Sequence, residues 1–395
     1  MPDDGATNIR RRLWELVQVF GRIGLTGFGG PAVTIAMMED EAVTRRHWLT
    51  HEHFLDLLGI TNLIPGPNAA EMAIHLGYLR AGWLGLMLSG LCFIVPAALT
   101  TTLFAWLYVR FGSLPQAEPF LYGIKPVVLA VILAALWRLG RSALKSWPLL
   151  AVGIGVVVLA FLGVNEVLAL FIGGLAGMVW LRLCAKQPSP PAPPASPART
   201  RVSALVPGVA LTACPAVVAA GPTLWRLALF FLKTGAVLYG SGYVLIAFLE
   251  GGLVRDYGWL TQQQLLDAVA VGQFTPGPLL STAAFIGYLL FGLPGAAIST
   301  AAVFAPSFLF VLATMRLVPH LRRSRWSAAF LDAVNASALA LMVIVTVRLG
   351  RAGLVDWPAA LIAALGAFAT LRWKVNSTWV ILGGGLAGWL VHLLA

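Results

Sequence analysis

The chain has 395 residues, of which 59% are hydrophobic and only 11% are charged, and its mean hydropathy is +0.84. Soluble domains carry about 25% charged residues, so a chain of this composition cannot cover its surface in water. The net charge of +11 does not indicate a nucleic-acid partner, because the basic residues lie between apolar runs, as in the loops of membrane proteins. The composition predicts a polytopic protein whose surroundings are the lipid bilayer.

Six apolar stretches in the first half of the chain are candidates for membrane-spanning helices, which need roughly 20 residues each. They are Leu13–Met38, Phe54–Leu79, Gly82–Val109, Pro119–Trp137, Trp147–Gly163 and Glu166–Leu183. The second stretch is interrupted by Pro65-Gly66-Pro67. Each of its halves has about eleven residues and is too short to span the bilayer alone.

The second half of the chain repeats the first at an offset of 211 residues, which places Phe20 on Phe231. The matched motifs are Trp48-Leu49-Thr50 with Trp259-Leu260-Thr261, Pro65-Gly66-Pro67 with Pro276-Gly277-Pro278, and, after one deleted residue, Arg138-Leu139-Gly140-Arg141 with Arg348-Leu349-Gly350-Arg351. Such near-gapless self-similarity indicates a duplication. We therefore divide the chain into a first repeat at 1–186 and a second repeat at 222–395.

Two segments between the repeats have no counterpart in the duplication. Residues 187–203 are rich in proline, serine and alanine, a composition typical of an extended, solvated linker, and the flanking basic residues place it in the cytoplasm. Residues 204–221 form an uncharged apolar stretch that is just long enough to cross the membrane. We predict that this stretch is an extra connecting helix.

The distribution of basic loops predicts that the second repeat is inverted. The loops that are poor in charge in the first repeat become basic in the second, where they carry Arg322, Arg323, Arg325, Arg372 and Lys374. Under the positive-inside rule these loops are cytoplasmic, with Arg348 and Arg351 as exceptions. The predicted fold is an all-α membrane protein with two six-helix repeats in inverted topology and, counting the connecting helix, about 13 spans.

Inverted repeats with broken helices are the architecture of secondary transporters, whose sites lie where the repeats meet. Helix breaks expose backbone N–H groups at half-helix N-termini, and these attract anions. One pair of breaks provides the candidate substrate-binding residues Pro65, Gly66, Pro67 and Asn68 with Pro276, Gly277, Pro278, Ser281 and Thr282. A second, glycine-rich pair adds Gly29 and Gly30 with Gly240 and Ser241, although small residues also serve helix packing.

Charged residues inside apolar helices are costly and usually functional. Arg22 and Lys233 occupy matched positions before the glycine-rich breaks, and an oxyanion crossing the bilayer needs cationic partners of this kind. Snorkelling to the membrane surface is the alternative role of both side chains. Lys125, which is aligned with Asn335 of the second repeat, is a third candidate for substrate binding.

Glu71 and His75 are spaced by four residues and share one face of the half-helix that follows the first Pro-Gly-Pro. The second repeat has no acid or imidazole there, which favours a proton-coupling or gating role in one half only. A structural ion pair is the alternative. The sequence contains no nucleophile–base set, no ATP-binding loop and no metal-ligand cluster, so we predict no enzyme activity, catalytic residue, metal or cofactor.

These motifs resemble the chromate ion transporter family in its long, two-domain form. The resemblance rests on FGRIGLTGFGGP at 20–31, the stretch Trp48–Asp56, and Pro-Gly-Pro followed by Gly77-Tyr78 and Gly82, with their second-repeat matches. It covers nearly the whole chain except the linker. It implies a multi-pass protein of the bacterial inner membrane that exports chromate, with sulfate as the chemically similar oxyanion, and so confers chromate resistance.

The second repeat departs from the pattern, because Gly30-Pro31 becomes Ser241-Gly242 and Asn68 becomes Leu279. We therefore expect more substrate contact in the first repeat. The sequence leaves two alternatives to chromate as the substrate: another oxyanion such as sulfate, or a small carboxylate. A membrane-embedded enzyme or scaffold is a further alternative, but its only polar cluster, Glu71 and His75, lacks a nucleophile. Antiport is the expected mode, a proton is a candidate coupling ion that the sequence does not establish, and a homodimer is an open alternative to a monomer.

Overall fold

The computed structural model describes residues 4–62, 64–112, 118–184, 221–239, 242–321, 325–373 and 375–394. Within these ranges all regular secondary structure is helical, in agreement with the predicted all-α membrane class. The linker 187–203 lies outside the described residues, and so does the connecting segment 204–221 except for Gly221. Gly240 and Ser241 also lie outside them, so the predictions for all these residues stay predictions.

Seven α-helices are described in the first half of the chain. They are α1 (Asp4–Thr26), α2 (Pro31–Glu39), α3 (His51–Thr61), α4 (Asn68–Phe111), α5 (Glu118–Ala143), α6 (Trp147–Phe161) and α7 (Glu166–Cys184). A π-helical turn at Asp40–Arg45 extends α2. The candidate span Leu13–Met38 is thus divided between α1 and α2, because Gly29 and Gly30 adopt positive φ angles of 108° and 87°.

The described part of the second half contains the same series of helices. They are α8 (Leu224–Val237), α9 (Val244–Leu249), α10 (Gln262–Phe274), α11 (Thr282–Leu321), α12 (Arg325–Gly353), α13 (Trp357–Arg372) and α14 (Ser377–Leu394). A π-helical turn at Glu250–Asp256 again follows the second helix of the series. A 3₁₀ turn at Leu279–Ser281 leads into α11.

The longest helix of each half is kinked at the same place. The kink lies at Ala81–Gly82 in α4 and at Phe291–Gly292 in α11, and both glycines have positive φ angles, 61° and 62°. The kink brings the backbone of Gly85 against that of Gly77, where a Cβ on Gly85 would lie 2.1 Å from the Gly77 carbonyl oxygen. Glycine at these positions therefore lets the two parts of each kinked helix touch.

The two halves interlock rather than pack as separate bodies. Helix α5 of the first half packs against α13 and α14 of the second, while α12 of the second half packs against α6 and α7 of the first. Helices α4 and α11 also lie against each other. Buried residues from both halves accordingly form one main hydrophobic core.

Five of the described helical stretches are long and apolar enough to cross a membrane. They are Asn68–Phe111, Glu118–Arg141, Glu166–Leu183, Leu279–Thr314 and Ala328–Gly353. Three shorter apolar helices accompany them, at Trp147–Phe161, Trp357–Arg372 and Ser377–Leu393. These stretches make the chain a multi-pass membrane protein.

The corresponding parts of the two halves differ in how deeply they are packed. All six residues of α9 are buried, whereas only Thr34 and Met38 are buried among the nine of α2. Helix α10 is likewise largely buried between α5, α11 and α12. Its counterpart α3 lies at the surface and buries only one side. The same elements therefore occupy a central place in the second half and a peripheral place in the first.

Candidate functional site

Each Pro-Gly-Pro break is hydrogen-bonded to the glycine-rich break of the other half. The Gly66 N–H donates to the Leu238 carbonyl over 2.7 Å, and the Gly277 N–H donates to the Gly27 carbonyl over 3.1 Å. The two bonds are equivalent under the repeat, because both donor and acceptor are separated by the same 211 positions. The four predicted breaks therefore meet at one junction between the halves.

Both glycines in these bonds are required by the backbone. Gly66 has a φ of 146° and Gly277 a φ of 100°, a region that residues with a Cβ rarely adopt. A Cβ on Gly277 would lie 2.6 Å from the Cβ of Ala97, so another helix passes closely there. The Pro-Gly-Pro sequences thus end one helix, turn the chain, and let other backbone approach.

A cavity of about 60 Å³ lies at this junction. Its lining comes from both halves and consists of Pro31, Thr34, Pro67, Asn68, Ala69, Gly242, Gly277, Pro278, Leu279 and Leu280. Four of the predicted substrate-binding residues, Pro67, Asn68, Gly277 and Pro278, are therefore brought together. Gly29, Gly30, Pro65, Gly66 and Pro276 belong to the same breaks but do not line the cavity.

The N-terminus of α4 opens at this cavity. Pro67 precedes the helix without a side-chain cap, so the first backbone N–H groups after it have no partner within the helix. The Asn68 amide nitrogen donates to the Asn62 side-chain oxygen across the break, which leaves the Asn68 carbonyl oxygen as a further polar group. Free donors and the helix dipole together favour an anion at this end of α4.

Glu71 lies one turn into α4 and is completely buried. Neither of its carboxyl oxygens has a hydrogen-bond partner among the described residues. A Cβ on Gly66 would lie 2.0 Å from Glu71 Oε1 and 2.8 Å from Ser307 Oγ, so the carboxyl group lies against the first break and beside α11 of the other half. An unpartnered carboxyl group in this position is costly, which is typical of a functional acid.

His75 is buried one turn further along α4 but does not bond to the Glu71 side chain. Its Nδ1 lies 2.9 Å from the Glu71 backbone carbonyl, which accepts the proton of that nitrogen, while Nε2 is buried and has no partner in the described part of the chain. The alternative of a structural Glu71–His75 ion pair is therefore absent from the described contacts. Both residues keep unused hydrogen-bonding capacity beside the junction.

The corresponding turn in the second half holds hydroxyl groups. Thr282 Oγ1 donates to the Leu279 carbonyl over 2.8 Å, and Ser281 Oγ is buried without a partner among the described residues. Tyr243 and Gln273 add a longer hydrogen bond of 3.4 Å nearby. The two ends of the junction therefore differ, with a carboxyl group at one and neutral hydroxyls at the other.

Arg22 and Lys233 stand outside the cavity. The Arg22 side chain is 65% exposed and pairs at 3.6 Å with Glu41, and Lys233 is exposed as well. Neither lines the cavity at the junction. The structure thus does not bring these two cations together with the Pro-Gly-Pro breaks, and their contact with substrate stays a prediction.

Lys125 forms part of a buried polar group between the two halves. Its Nζ lies 3.8 Å from Asp267 Oδ1, and the other carboxylate oxygen accepts a 2.9 Å hydrogen bond from Tyr108. Asp267 is on α10, which runs into the second Pro-Gly-Pro break, while Lys125 and Tyr108 belong to the first half. Sequence reasoning missed Asp267, although an acid within an apolar stretch before Pro-Gly-Pro is a usable signal.

Within the described residues, no group of three or more metal-ligating side chains occurs. The site is instead a small, two-sided cavity made of half-helix ends inside a membrane-spanning bundle. Paired broken helices at the meeting point of two homologous halves define a polytopic membrane transport protein.

The chain belongs to the chromate transporter family, whose model matches it twice, at residues 14–178 and 225–389. The two matches begin 211 residues apart, which is the offset of the internal repeat. Members of this family are transporters, so the chain is a transporter and not an enzyme.

Similar proteins are found in several bacteria. The chain is 33% identical over 385 residues to a chromate transport protein of Cupriavidus metallidurans, covering 97% of this chain and 94% of the relative. It is 32% identical to a probable chromate transport protein of Synechococcus elongatus, covering 92% and 91%. An uncharacterized transporter of Bacillus subtilis is 30% identical over 131 residues, which is 33% of this chain and 74% of that protein. No solved structure matches this chain.

Proposed function

We propose that the protein is a secondary transporter that exports chromate across the bacterial inner membrane and so confers chromate resistance. The observation that carries this proposal is the junction where the half-helix ends of both repeats surround one cavity, in a chain similar to proteins named for chromate transport. The free N–H groups at the start of α4 are suited to an oxyanion.

The size of the cavity supports an inorganic ion as substrate. Pockets for organic ligands usually have volumes of about 300–1,000 Å³, whereas this cavity has about 60 Å³. The proposed binding residues are those that line it, Pro67, Asn68, Gly277 and Pro278, with the adjoining break residues. The first repeat supplies Asn68 where the second has Leu279, so we propose that the first repeat contributes more polar contacts.

We propose alternating access by rocking of the two repeats, in inverted topology with about 13 spans. The different packing of α2–α3 and α9–α10 supports it, because two copies of one unit adopt different environments within one molecule. An exchange of these environments would open the cavity towards the opposite side of the membrane.

Glu71 is the proposed site of the coupling proton. It is buried, has no hydrogen-bond partner for its carboxyl group among the described residues, and lies against the break whose N-terminus would hold the anion. A negative oxyanion and a negative carboxylate at this distance repel each other, so loading of the substrate and protonation of Glu71 would favour each other. Such linkage couples the oxyanion to a proton that moves in the same direction, so the proposed mode is cotransport, where the sequence alone led us to expect antiport. His75 is the neighbouring group able to exchange the proton.

Arg22, Lys233 and Lys125 retain proposed roles as cationic partners. The exposure of Arg22 and Lys233 supports a role in attracting the oxyanion before it reaches the cavity. Lys125 is held by Asp267, so we propose that it becomes available to the substrate when α10 moves.

Uptake by inverted membrane vesicles tests the proposal, because uptake there corresponds to export from the cell. Radiolabelled chromate, sulfate, molybdate and a small carboxylate are compared with and without a pH gradient. We expect chromate uptake that depends on the gradient and is competed by sulfate. Transport of the carboxylate with no chromate flux would refute the proposal, and preference for sulfate would assign the alternative oxyanion.

A further inference from the structure

A second cavity, of about 100 Å³, lies between α1 and the first part of α4. It is lined by Arg12, Trp48, Leu49, Leu76, Leu79 and Arg80. This cavity is separate from the junction, shares no lining residue with it, and has no part in the proposed transport route. Two arginines and a tryptophan in so small a space require a chemical explanation.

The arginines of this cavity have hydrogen-bonding capacity to spare. Arg80 donates to Glu15 Oε2 over 2.7 Å, but its Nε is buried and has no partner among the described residues. The Arg80 guanidinium also lies over the Trp48 ring, with 5.4 Å from Cζ to the ring centre. Arg12 forms no ion pair or hydrogen bond with described residues. A bound anion would therefore satisfy donors that the protein leaves open.

The surroundings of the cavity have the character of a membrane surface. Leu79 on the cavity wall is 46% exposed, and Trp14 and Trp83, which follow the lining residues Arg12 and Arg80 in the chain by two and three positions, are 62% and 54% exposed. Helix α1 is amphipathic, because Leu16, Phe20 and Ile23 are buried on one side while Arg11 and Arg22 are exposed on the other. Exposed tryptophans, basic residues and an amphipathic helix are typical of the interface between lipid tails and headgroups.

We infer that this cavity binds the phosphate group of an anionic phospholipid. Guanidinium groups bind phosphate oxygens through paired hydrogen bonds, and basic pockets between membrane helices accept anionic headgroups. The exposed apolar rim assigns the phosphate to a lipid, since acyl chains would cover Leu79 and the tryptophans. A free oxyanion would accept the same hydrogen bonds from the guanidinium groups, but it would leave the apolar rim uncovered.

The repeat provides an internal comparison. In the second half, Thr223 stands at the position of Arg12 and Leu290 at that of Arg80, whereas Trp259 keeps the place of Trp48. The aromatic residue therefore belongs to the shared fold, and the two arginines are additions of the first half. The lipid site is accordingly expected on one side of the pseudo-symmetric molecule only.

The test measures the melting temperature of the purified full-length chain in neutral detergent during titration with phosphatidylglycerol or phosphatidylcholine. We expect phosphatidylglycerol alone to raise it in a saturable manner. Arg12→Gln should weaken the apparent affinity about tenfold, since it removes charge-assisted hydrogen bonds. Glu15→Gln should strengthen it, because it removes the carboxylate that competes for Arg80.

Arg110→Gln is the control, because Arg110 is an exposed arginine near the far end of α4, the helix that carries Arg80, and lines neither cavity. A second arm titrates inorganic phosphate or chromate in phosphatidylcholine. Stabilisation by these free ions that Arg12→Gln abolishes, without any preference for phosphatidylglycerol, would overturn the lipid assignment. Equal affinities for Arg12→Gln and Arg110→Gln, or weaker binding by Glu15→Gln, would overturn the site itself.

Discussion

Gly66 is the residue at which the first break is least tolerant of change. Its φ of 146° is strained for any other residue, and an added Cβ would meet Glu71 Oε1 at 2.0 Å and Ser307 Oγ at 2.8 Å. We predict that Gly66→Ala lowers the free energy of unfolding by about 1–3 kcal/mol and abolishes most chromate flux. Vesicle uptake and the melting temperature of the purified variant measure the two effects.

The control for this substitution is Gly21→Ala in α1, where a Cβ would have no neighbour within 4 Å. Alanine should be neutral or slightly stabilising at such a helical position. If Gly66→Ala behaves like Gly21→Ala, the close packing of the break against Glu71 does not matter for transport.

Glu71 is the residue through which pH is expected to act on transport. Glutamine has the shape of the protonated acid but cannot exchange a proton, so Glu71→Gln should flatten the dependence of chromate uptake on pH and on the pH gradient. We expect uptake at the best pH to fall about a hundredfold, the lower end of the usual loss when a proton-transferring group is removed. Uptake by inverted vesicles at a series of pH values provides the measurement.

Glu52→Gln serves as the comparison, because Glu52 is an exposed acid in the first turn of α3. It should leave the pH profile unchanged. A normally expressed Glu71→Gln protein with the pH profile of the unaltered chain would show that Glu71 does not carry the coupling proton.

Helix α10 is held against the first half by its own charge pair. Loss of one partner from a buried ion pair costs about 3–5 kcal/mol, and the lower end applies here because the Lys125 side chain is 19% exposed. We predict that Asp267→Asn lowers the melting temperature by several degrees, and that adding Lys125→Gln restores part of the loss. Glu52→Gln, which also neutralises an acid but at an exposed position on α3, should change it little. Additive losses in the double variant would exclude a direct Lys125–Asp267 interaction.

The helix breaks are the part of the site that sequence could predict. Proline and glycine change the backbone locally, so Pro65-Gly66-Pro67 and its repeat indicate a turn whatever surrounds them. The pairing of Lys125 with Asp267 could not be found in this way, because it depends on how α5 packs against α10. The pairing of Arg22 with Glu41 was equally hidden, because Glu41 lies on a π-helical turn that no local pattern predicts.

The whole molecule combines helices that are packed alike in the two halves, which we call the frame, with two segments that are packed differently and are our candidates for movement, α2–α3 and α9–α10. Helices α6 and α13 bury equivalent positions, Leu149, Val152, Val156 and Ala160 in the first and Ala359, Ile362, Gly366 and Thr370 in the second. In contrast, α2–α3 and α9–α10 have the same origin but different burial. The frame is thus suited to stay fixed while the α2–α3 and α9–α10 segments exchange environments.

Hydrogen–deuterium exchange of the full chain in lipid tests this asymmetry. Local opening is easier where few apolar side chains are buried, so amides of 31–61 should exchange at least roughly tenfold faster than those of 242–274. Peptides from α6 and α13 should exchange alike, because their buried positions correspond. If the repeats rock during transport, chromate with a pH gradient should slow exchange in 31–61 and speed it in 242–274. Equal rates in the two segments under both conditions would contradict alternating access by exchange of these environments.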